Sequence, residues 1–339
     1  MTPAANRDIL VIGGSSGSSG VLKRILANLP PDLPASIFIV THVPSNSAGF
    51  LDEVLAKESN LPVAQAVDRQ AMERGHVYVA PPDRHLLLLD GIIRLGDGPR
   101  ENMARPAIDP LFRSAALSFG SRVTGVVLSG LLNDGAAGLY AIKACGGTTV
   151  VQHPLDAEAD AMPLAALETA EVDHVASAAE LGALLTQIIR TGAGPNHPPS
   201  DELRLEVDIA VGGRLGSANL RRLAEPSPLS CPDCGGVLSE VRGARPLRFR
   251  CQIGHAYTAD VLAVHSDKVD EAVRVAMRIM EERVTLVERM AADARQTGRP
   301  AVAELYEARS EEYRRYATTL RDAALSMSRL GTRRPEQDI

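Results

Sequence analysis

The sequence predicts a doubly wound α/β fold: a mostly parallel sheet with helices on both faces, then a small zinc-binding module and a C-terminal αα-hairpin. Three observations carry this expectation. Short, β-branched apolar runs alternate with longer helix-like stretches through residues 1–192, the pattern of parallel strands buried on both faces. Three of the four cysteines and one histidine fall between residues 231 and 255. Two long helical patterns, separated by the breaker Gly298-Arg299-Pro300, follow them.

The expected strands are 8–13, 36–41, 76–80, 123–129 and 147–152, and the expected helices between them are 18–29, 47–57, 109–119, 135–145, 163–169 and 178–190. Leu86–Leu89 and Ile92–Leu95 flank Asp90-Gly91, a pair suited to a type I′ turn, and read as a β-hairpin. Residues 193–230 are rich in Gly, Pro, Ser and Asn at their start and read as a linker. Within it, Leu203 to Ala210 alternates apolar and charged residues like a half-exposed strand. Residues 231–257 form the metal module, 258–330 the helical hairpin and 331–339 a disordered tail. On the first hairpin helix Val269, Val273, Ala276, Met280, Val284 and Val287 recur at helical spacing. Tyr306, Tyr313, Tyr316, Leu320 and Met327 do so on the second.

Composition narrows the function. The chain has 339 residues, a net charge of −6 and 3% aromatic residues with no Trp. That balance disfavours a nucleic-acid footprint, which needs a basic face. No apolar run approaches the ~20 residues of a membrane span, and no signal segment opens the chain. A cytoplasmic setting is expected.

The first chemical signal is Gly13-Gly14-Ser15-Ser16-Gly17-Ser18-Ser19-Gly20, between an expected strand and a helix. A P-loop would end in Gly-Lys-Ser/Thr, and a dinucleotide site would need an acidic residue after the next strand. That strand ends instead in Thr41-His42-Val43-Pro44. The remaining reading is a nucleophile turn, G-x-S-x-G, with Ser15 at its centre. His42 is expected at the neighbouring strand end, where open α/β sheets place their ligands. Asp134 follows a third strand, just before Gly135-Ala136-Ala137. It could cap the helix that starts there. With Ser15 and His42 at the same sheet edge it reads instead as the third member of a Ser-His-Asp triad. A base must activate the serine, and a carboxylate must fix the tautomer of that base. The order Ser, His, Asp differs from that of the α/β-hydrolases.

These residues carry a family resemblance. VIGGSSGSSG (11–20), THVP (41–44), GHVYVAPPDRHL (75–86), RPAIDPLF (105–112), LSGLLNDGAAGL (128–139) and DAMP (160–163) occur in order through residues 8–192. That segment resembles the catalytic domain of the CheB-type protein-glutamate methylesterases of bacterial chemotaxis. The resemblance implies hydrolysis of methyl esters on receptor glutamates, and deamidation of receptor glutamines, with no cofactor for catalysis. It carries the family's triad onto Ser15, His42 and Asp134, and its oxyanion contacts onto Ser16 and the Leu131 backbone. Arg84 and Arg105 match positions near the active-site face and are candidate substrate contacts. The implied partner is a methylated chemoreceptor or similar signalling protein. The sequence departs from the family at Ser18, where a second glycine is usual, and at Leu131-Leu132, where Met-Gly is common. The first strand begins near Asp8, so the usual N-terminal receiver domain is not expected.

The second chemical signal is Cys231-x₂-Cys234, sixteen residues, then Cys251-x₃-His255. This spacing suits a closed, tetrahedral, structural Zn²⁺ site. Stand-alone relatives resemble this tail as well. A different class of function stays open: a non-enzymatic adaptor that binds a partner through the zinc module and helices.

Overall fold

The computed structural model describes residues 6–42, 50–213, 215–264 and 267–330. Val43-Pro44, the start of the expected helix 47–57, the tail 331–339 and the side chains of Val269 and Met327 lie outside the described residues. The chain forms two compact units, Met1–Leu262 and Ala263–Ile339.

The first unit opens with β1 (Ile9–Gly14), α1 (Ser18–Asn28), β2 (Ser36–Thr41), α2 (Leu51–Ala56), β3 (Val63–Gln65) and β4 (Val77–Val79). A hairpin of β5 (His85–Leu89) and β6 (Ile92–Gly96) follows, then α3 (Ile108–Phe119), β7 (Val123–Val127), α4 (Ala136–Ala144) and β8 (Thr148–Gln152). α5 (Ala161–Thr169), β9 (His174–Ala176) and α6 (Leu181–Ile189) complete the wound domain. Seven strands form one sheet in the order β3-β4-β2-β1-β7-β8-β9, with every pairing parallel.

Strand alternation sorts this core into two layers. Val11, Phe38, Tyr78, Val127 and Val151 pack with Ile108, Leu111, Phe112 and Leu139 of α3 and α4. Leu10, Ile12, Ile37, Val126 and Val150 pack on the other face with Leu22, Ile25, Leu181 and Leu185 of α1 and α6. Helices therefore cover both faces, as expected. Asp90 and Gly91 take φ of 48° and 85°, the positive pair a type I′ turn requires. β3 and β9 were not expected. Each has only three residues at a sheet edge, too few for a visible period.

Residues 193–230 do not act as a linker throughout. They carry α7 (Asp201–Val211), α8 (Gly216–Leu223) and β10 (Ala224–Ser230). The alternation at 203–210 is helical rather than strand-like. Ser200 caps it by accepting from Leu203 N at 3.2 Å, and Leu203, Val207 and Ala210 turn to the buried side. β11 (Val237–Val241), β12 (Arg248–Cys251) and β13 (Ala256–Thr258) join β10 in a four-stranded sheet, ordered β10-β11-β12-β13. α9 (Ala259–Val264) follows.

In the second unit α10 (Asp267–Gln296) packs on α11 (Pro300–Leu330). Val287, Ala291 and Ala294 are buried on one helix, Ala303, Ser310 and Ala317 on the other. The seam is thus lined by small residues at near-heptad spacing. The expected tyrosine stripe is peripheral: Tyr316 is 49% exposed, and Tyr313 lies under the Arg283 guanidinium.

Candidate active site

The strand order reverses between β1 and β7, the crevice where open α/β sheets hold ligands. Gly14 of β1 pairs with Thr41 of β2, and Gly13 with Val127 of β7. Ser15 and His42 therefore leave neighbouring strands at one edge. Ser15 N donates to Ser129 O at 2.9 Å, which ties the serine turn to the chain leaving β7. Gly130 is needed here. A Cβ built on it would lie 2.0 Å from Met162 Sδ and 3.0 Å from Ser15 Cβ. Ser15 is half-buried and Ser16 exposed.

His42 Nε2 bonds Asp134 Oδ2 at 2.7 Å. The imidazole side chain is 24% exposed and the carboxylate 2%. With Nε2 donating to that carboxylate, Nδ1 is left as the basic nitrogen. Asp134 does not cap the helix that follows it, whose N-cap is Gly135 without a side-chain bond. It serves the start of α3 instead. Oδ2 also accepts from Ile108 N at 2.7 Å, and Oδ1 from Asp109 N at 3.3 Å. An anion at a helix N-terminus meets free N–H groups and the positive end of the dipole. Burial pushes the Asp134 carboxyl up, but the His42 bond and charge and these two N–H donors hold it below the ordinary carboxylate value.

A fourth donor was not foreseen. Asn102 Nδ2 donates to Asp134 Oδ1 at 3.3 Å. Asn102 Oδ1 accepts from Thr258 N at 3.0 Å. Beside Asp134, Asn133 accepts from Thr258 Oγ1 at 2.6 Å and donates to Asp260 Oδ2 at 2.5 Å. No local pattern in the sequence marks Asn102, because its partners come from distant segments.

The next carboxyl, Asp109, accepts from Gly135 N at 3.1 Å and Gly138 N at 2.6 Å. Burial and the Asp134 charge push it up to about 7. Two buried carboxyls side by side thus divide into one held ionised and one that keeps its proton further.

Leu131 and Leu132 form the turn before Asn133. Leu132 adopts φ 62°, the left-handed conformation that glycine takes most easily. The turn is therefore kept without the glycine. The Ser16 and Leu131 N–H groups make no hydrogen bond among the described residues. The two arginines are already engaged. Arg84 pairs with Asp97, and Arg105 with Asp83 at 2.8 Å and with Gly98 O at 3.0 Å.

Further along, Cys231, Cys234, Cys251 and His255 place four ligand atoms within 4.8 Å of one another. Cys234 Sγ lies 3.7 Å from Cys251 Sγ, and His255 Nδ1 lies 3.7 Å from Cys231 Sγ and 3.5 Å from Cys251 Sγ. Zn–S bonds of ~2.3 Å in a tetrahedron put two sulfurs ~3.8 Å apart, so the four atoms could hold such an ion.

The Cys/His module docks on the wound domain through a buried ionic cluster. Arg113 of α3 pairs with Glu101. Arg250 of β12 reaches Glu101 at 3.1 Å and Glu206 of α7 at 3.4 Å, and Arg248 reaches Glu206 at 2.9 Å. Arg113, Glu101, Glu206 and Arg250 are each at most 4% exposed.

Comparison with known proteins bears on the family and the fold. The CheB methylesterase family profile matches residues 10–185. The chain is 40% identical over 187 residues to a protein-glutamate methylesterase/protein-glutamine glutaminase of Anaeromyxobacter dehalogenans, covering 55% of each. It is 39% identical over 184 residues to a Leptospira interrogans protein named for the same two activities, covering 54% of this chain and 95% of that one. The chain thus spans about half the length of the first relative and nearly all of the second. The Thermotoga maritima CheB methylesterase catalytic domain superposes with a TM-score of 0.52 at 32% identity, covering 54% of this chain and 98% of that one.

Proposed function

The chain belongs to the CheB methylesterase family, whose profile matches just over half of its length, and from that premise we propose that it hydrolyses glutamate methyl esters on a chemoreceptor-like signalling protein. Ser15 is the nucleophile, His42 the base and Asp134 the residue that orients it. The observation that carries this reading is the 2.7 Å bond from His42 Nε2 to Asp134 Oδ2 at the sheet edge where Ser15 follows β1.

In the first half-reaction, Ser15 Oγ adds to the ester carbonyl while His42 Nδ1 takes its proton. The carbonyl oxygen becomes an oxyanion, and the unpaired N–H groups of Ser16 and Leu131 receive it. The C–OCH₃ bond then breaks, and methanol leaves with the proton from His42. In the second half-reaction water, deprotonated by His42, releases the glutamate carboxylate and restores Ser15. A glutamine side chain follows the same course with ammonia leaving, which accounts for deamidation. Asp134 stays ionised and stabilises the imidazolium in both halves. Catalysis uses no cofactor.

Cys231, Cys234, Cys251 and His255 hold one structural Zn²⁺, since four protein ligands leave no open position. Arg84 and Arg105 shape the rim through their carboxylate partners. No helix among the described residues is long and apolar enough to cross a membrane, and we place the enzyme in the cytoplasm, acting on receptor cytoplasmic regions.

The test is methanol release from a methylated receptor cytoplasmic fragment. Release by the purified chain, lost in Ser15→Ala, supports the reading. No release by the wild-type chain, or full release by Ser15→Ala, overturns it.

A further inference from the structure

Residues 100–102 lie along the edge strand of the metal module. Ala256 N donates to Arg100 O at 3.3 Å, and Asn102 N donates to Ala256 O at 2.8 Å. Two residues on, Thr258 ends the strand and is fully buried. It engages Asn102 through its N–H and Asn133 through its hydroxyl. Asn102 is thereby turned so that its amide N–H meets Asp134. Asn133, bonded to Asp134 through the backbone, is pinned between Thr258 and Asp260.

The other end of the same short strand is the second metal knuckle. His255 precedes Ala256 directly, and Cys251 N donates to His255 O at 3.0 Å. Arg250 fixes the knuckle from below by donating to Gly254 O at 2.8 Å, while its other nitrogen holds Glu101. From the candidate metal ligands to the catalytic carboxylate there is an unbroken series of covalent and hydrogen bonds: His255, Ala256–Thr258, Asn102, Asp134.

We propose that the module is a positioning part of the hydrolase rather than an appendage: metal held by Cys231, Cys234, Cys251 and His255 fixes Thr258, and Thr258 sets Asn102 and Asn133 so that Asp134 presents His42 correctly. The inference rests on the esterase reading above for its catalytic consequence. Asn102 and Thr258 are positioning residues, since they act through Asp134. Partners that orient a metal ligand typically cost about 10–100-fold in affinity or activity when lost, and the same scale is expected for a partner that orients Asp134. A carboxylate that loses one of four donors holds His42 less firmly, so the loss falls on kcat rather than KM.

The experiment uses the full, zinc-loaded chain. Asn102→Gly deletes the amide but keeps a residue content with the local φ of 48°. Thr258→Val deletes the hydroxyl at equal volume, and Thr258→Ser retains it. Two readouts are taken: kcat and KM on a small methyl ester, and the ¹⁵N signals of the His42 imidazole, which report its bond to Asp134. Asn102→Gly is expected to lower kcat about 10–100-fold with KM within about twofold, to move the His42 signals, and to retain wild-type zinc content. Thr258→Val keeps the N–H to Asn102 and loses only the hydroxyl to Asn133, so it should lower kcat in the same direction but less than Asn102→Gly, and Thr258→Ser should behave like the wild type. Stripping zinc from the wild-type chain should move the same His42 signals and lower kcat, and zinc should restore both. His42 signals that ignore zinc removal, or that ignore Asn102→Gly, overturn the proposal. A wild-type chain that hydrolyses no ester defeats the esterase reading instead, and the imidazole signals still decide the coupling.

Discussion

Asp109 N donates to Asp134 Oδ1, so adjacent backbone and carboxylate join two buried acids whose titrations are shifted in opposite directions. For Asp109 the folded value, about 7, lies above the ordinary 3.8. Between those values the folded chain keeps a proton that the unfolded chain has released, so stability falls as pH rises through this window. Asp134 is held below its ordinary value, so its contribution is complete above that value and is lost as pH falls through the lowered one. Asp109→Asn keeps an acceptor for Gly135 and Gly138. It should flatten the decline of stability between pH 4 and 7, measured by urea unfolding at several pH values. A decline as steep as the wild type's would show that Asp109 does not retain its proton.

The triad should fail as a unit. Ser15→Ala and His42→Ala should each cost about 10⁴-fold or more in kcat, and the double variant little beyond either. Asp134→Asn favours the wrong tautomer of His42 and should cost about 10⁴-fold. Purified variants with unchanged circular dichroism, assayed by methanol release, provide the comparison.

Leu132 holds a left-handed backbone at 37% exposure, a conformation costing a branched residue roughly 1–2 kcal/mol. Glycine removes that cost but loosens the unfolded chain by roughly 0.4–1 kcal/mol. Leu132→Gly should therefore be neutral to about 1 kcal/mol stabilising, with esterase activity preserved. A loss above about 1 kcal/mol in denaturant unfolding would mean the leucine side chain packs more than its exposure suggests.

The buried cluster sets three guanidiniums, those of Arg113, Arg248 and Arg250, against two carboxylates, Glu101 and Glu206. Removing a carboxylate worsens the imbalance, and removing an arginine relieves it. Glu206→Gln should cost about 3–5 kcal/mol, the usual loss when one partner leaves a buried pair. Arg250→Met should cost less. Thermal melts of both variants test the order, and the reverse ranking would sink the charge argument.

Metal analysis should find about one zinc per chain, as a closed four-ligand site requires. Cys234→Ser should reduce that content sharply, and a chain with full zinc after the change would remove Cys234 from the ligand set.

The sheet and its site were legible where chemistry is local. The runs at 8–13 and 36–41 are long enough to show strands, and Ser15, His42 and Asp134 each follow a strand end. Asp134 was read as a cap or a triad member. It bonds His42, the contact a triad would need, and it does cap a helix, but that helix is α3, reached from 26 residues away. The alternation at 203–210 misled because Leu203, Val207 and Ala210 satisfy a helical spacing equally well, and tertiary packing on α3 chose between them. Asn102 was invisible for a related reason. Its partners Asp134 and Thr258 lie 32 and 156 positions away, and nothing in its neighbours announces either.

That separation of 156 positions also orders events in time. The wound sheet can form from residues that have already emerged, but the bond from Thr258 to Asn102 waits for the chain to reach its later part. Closing so long a loop is slow relative to local structure, and with zinc at the proposed site a segment as small as the module would gain most of its stability on taking up metal. A newly made or refolding chain should therefore show native sheet signals before full turnover. The delay between the two should lengthen as free zinc becomes scarce.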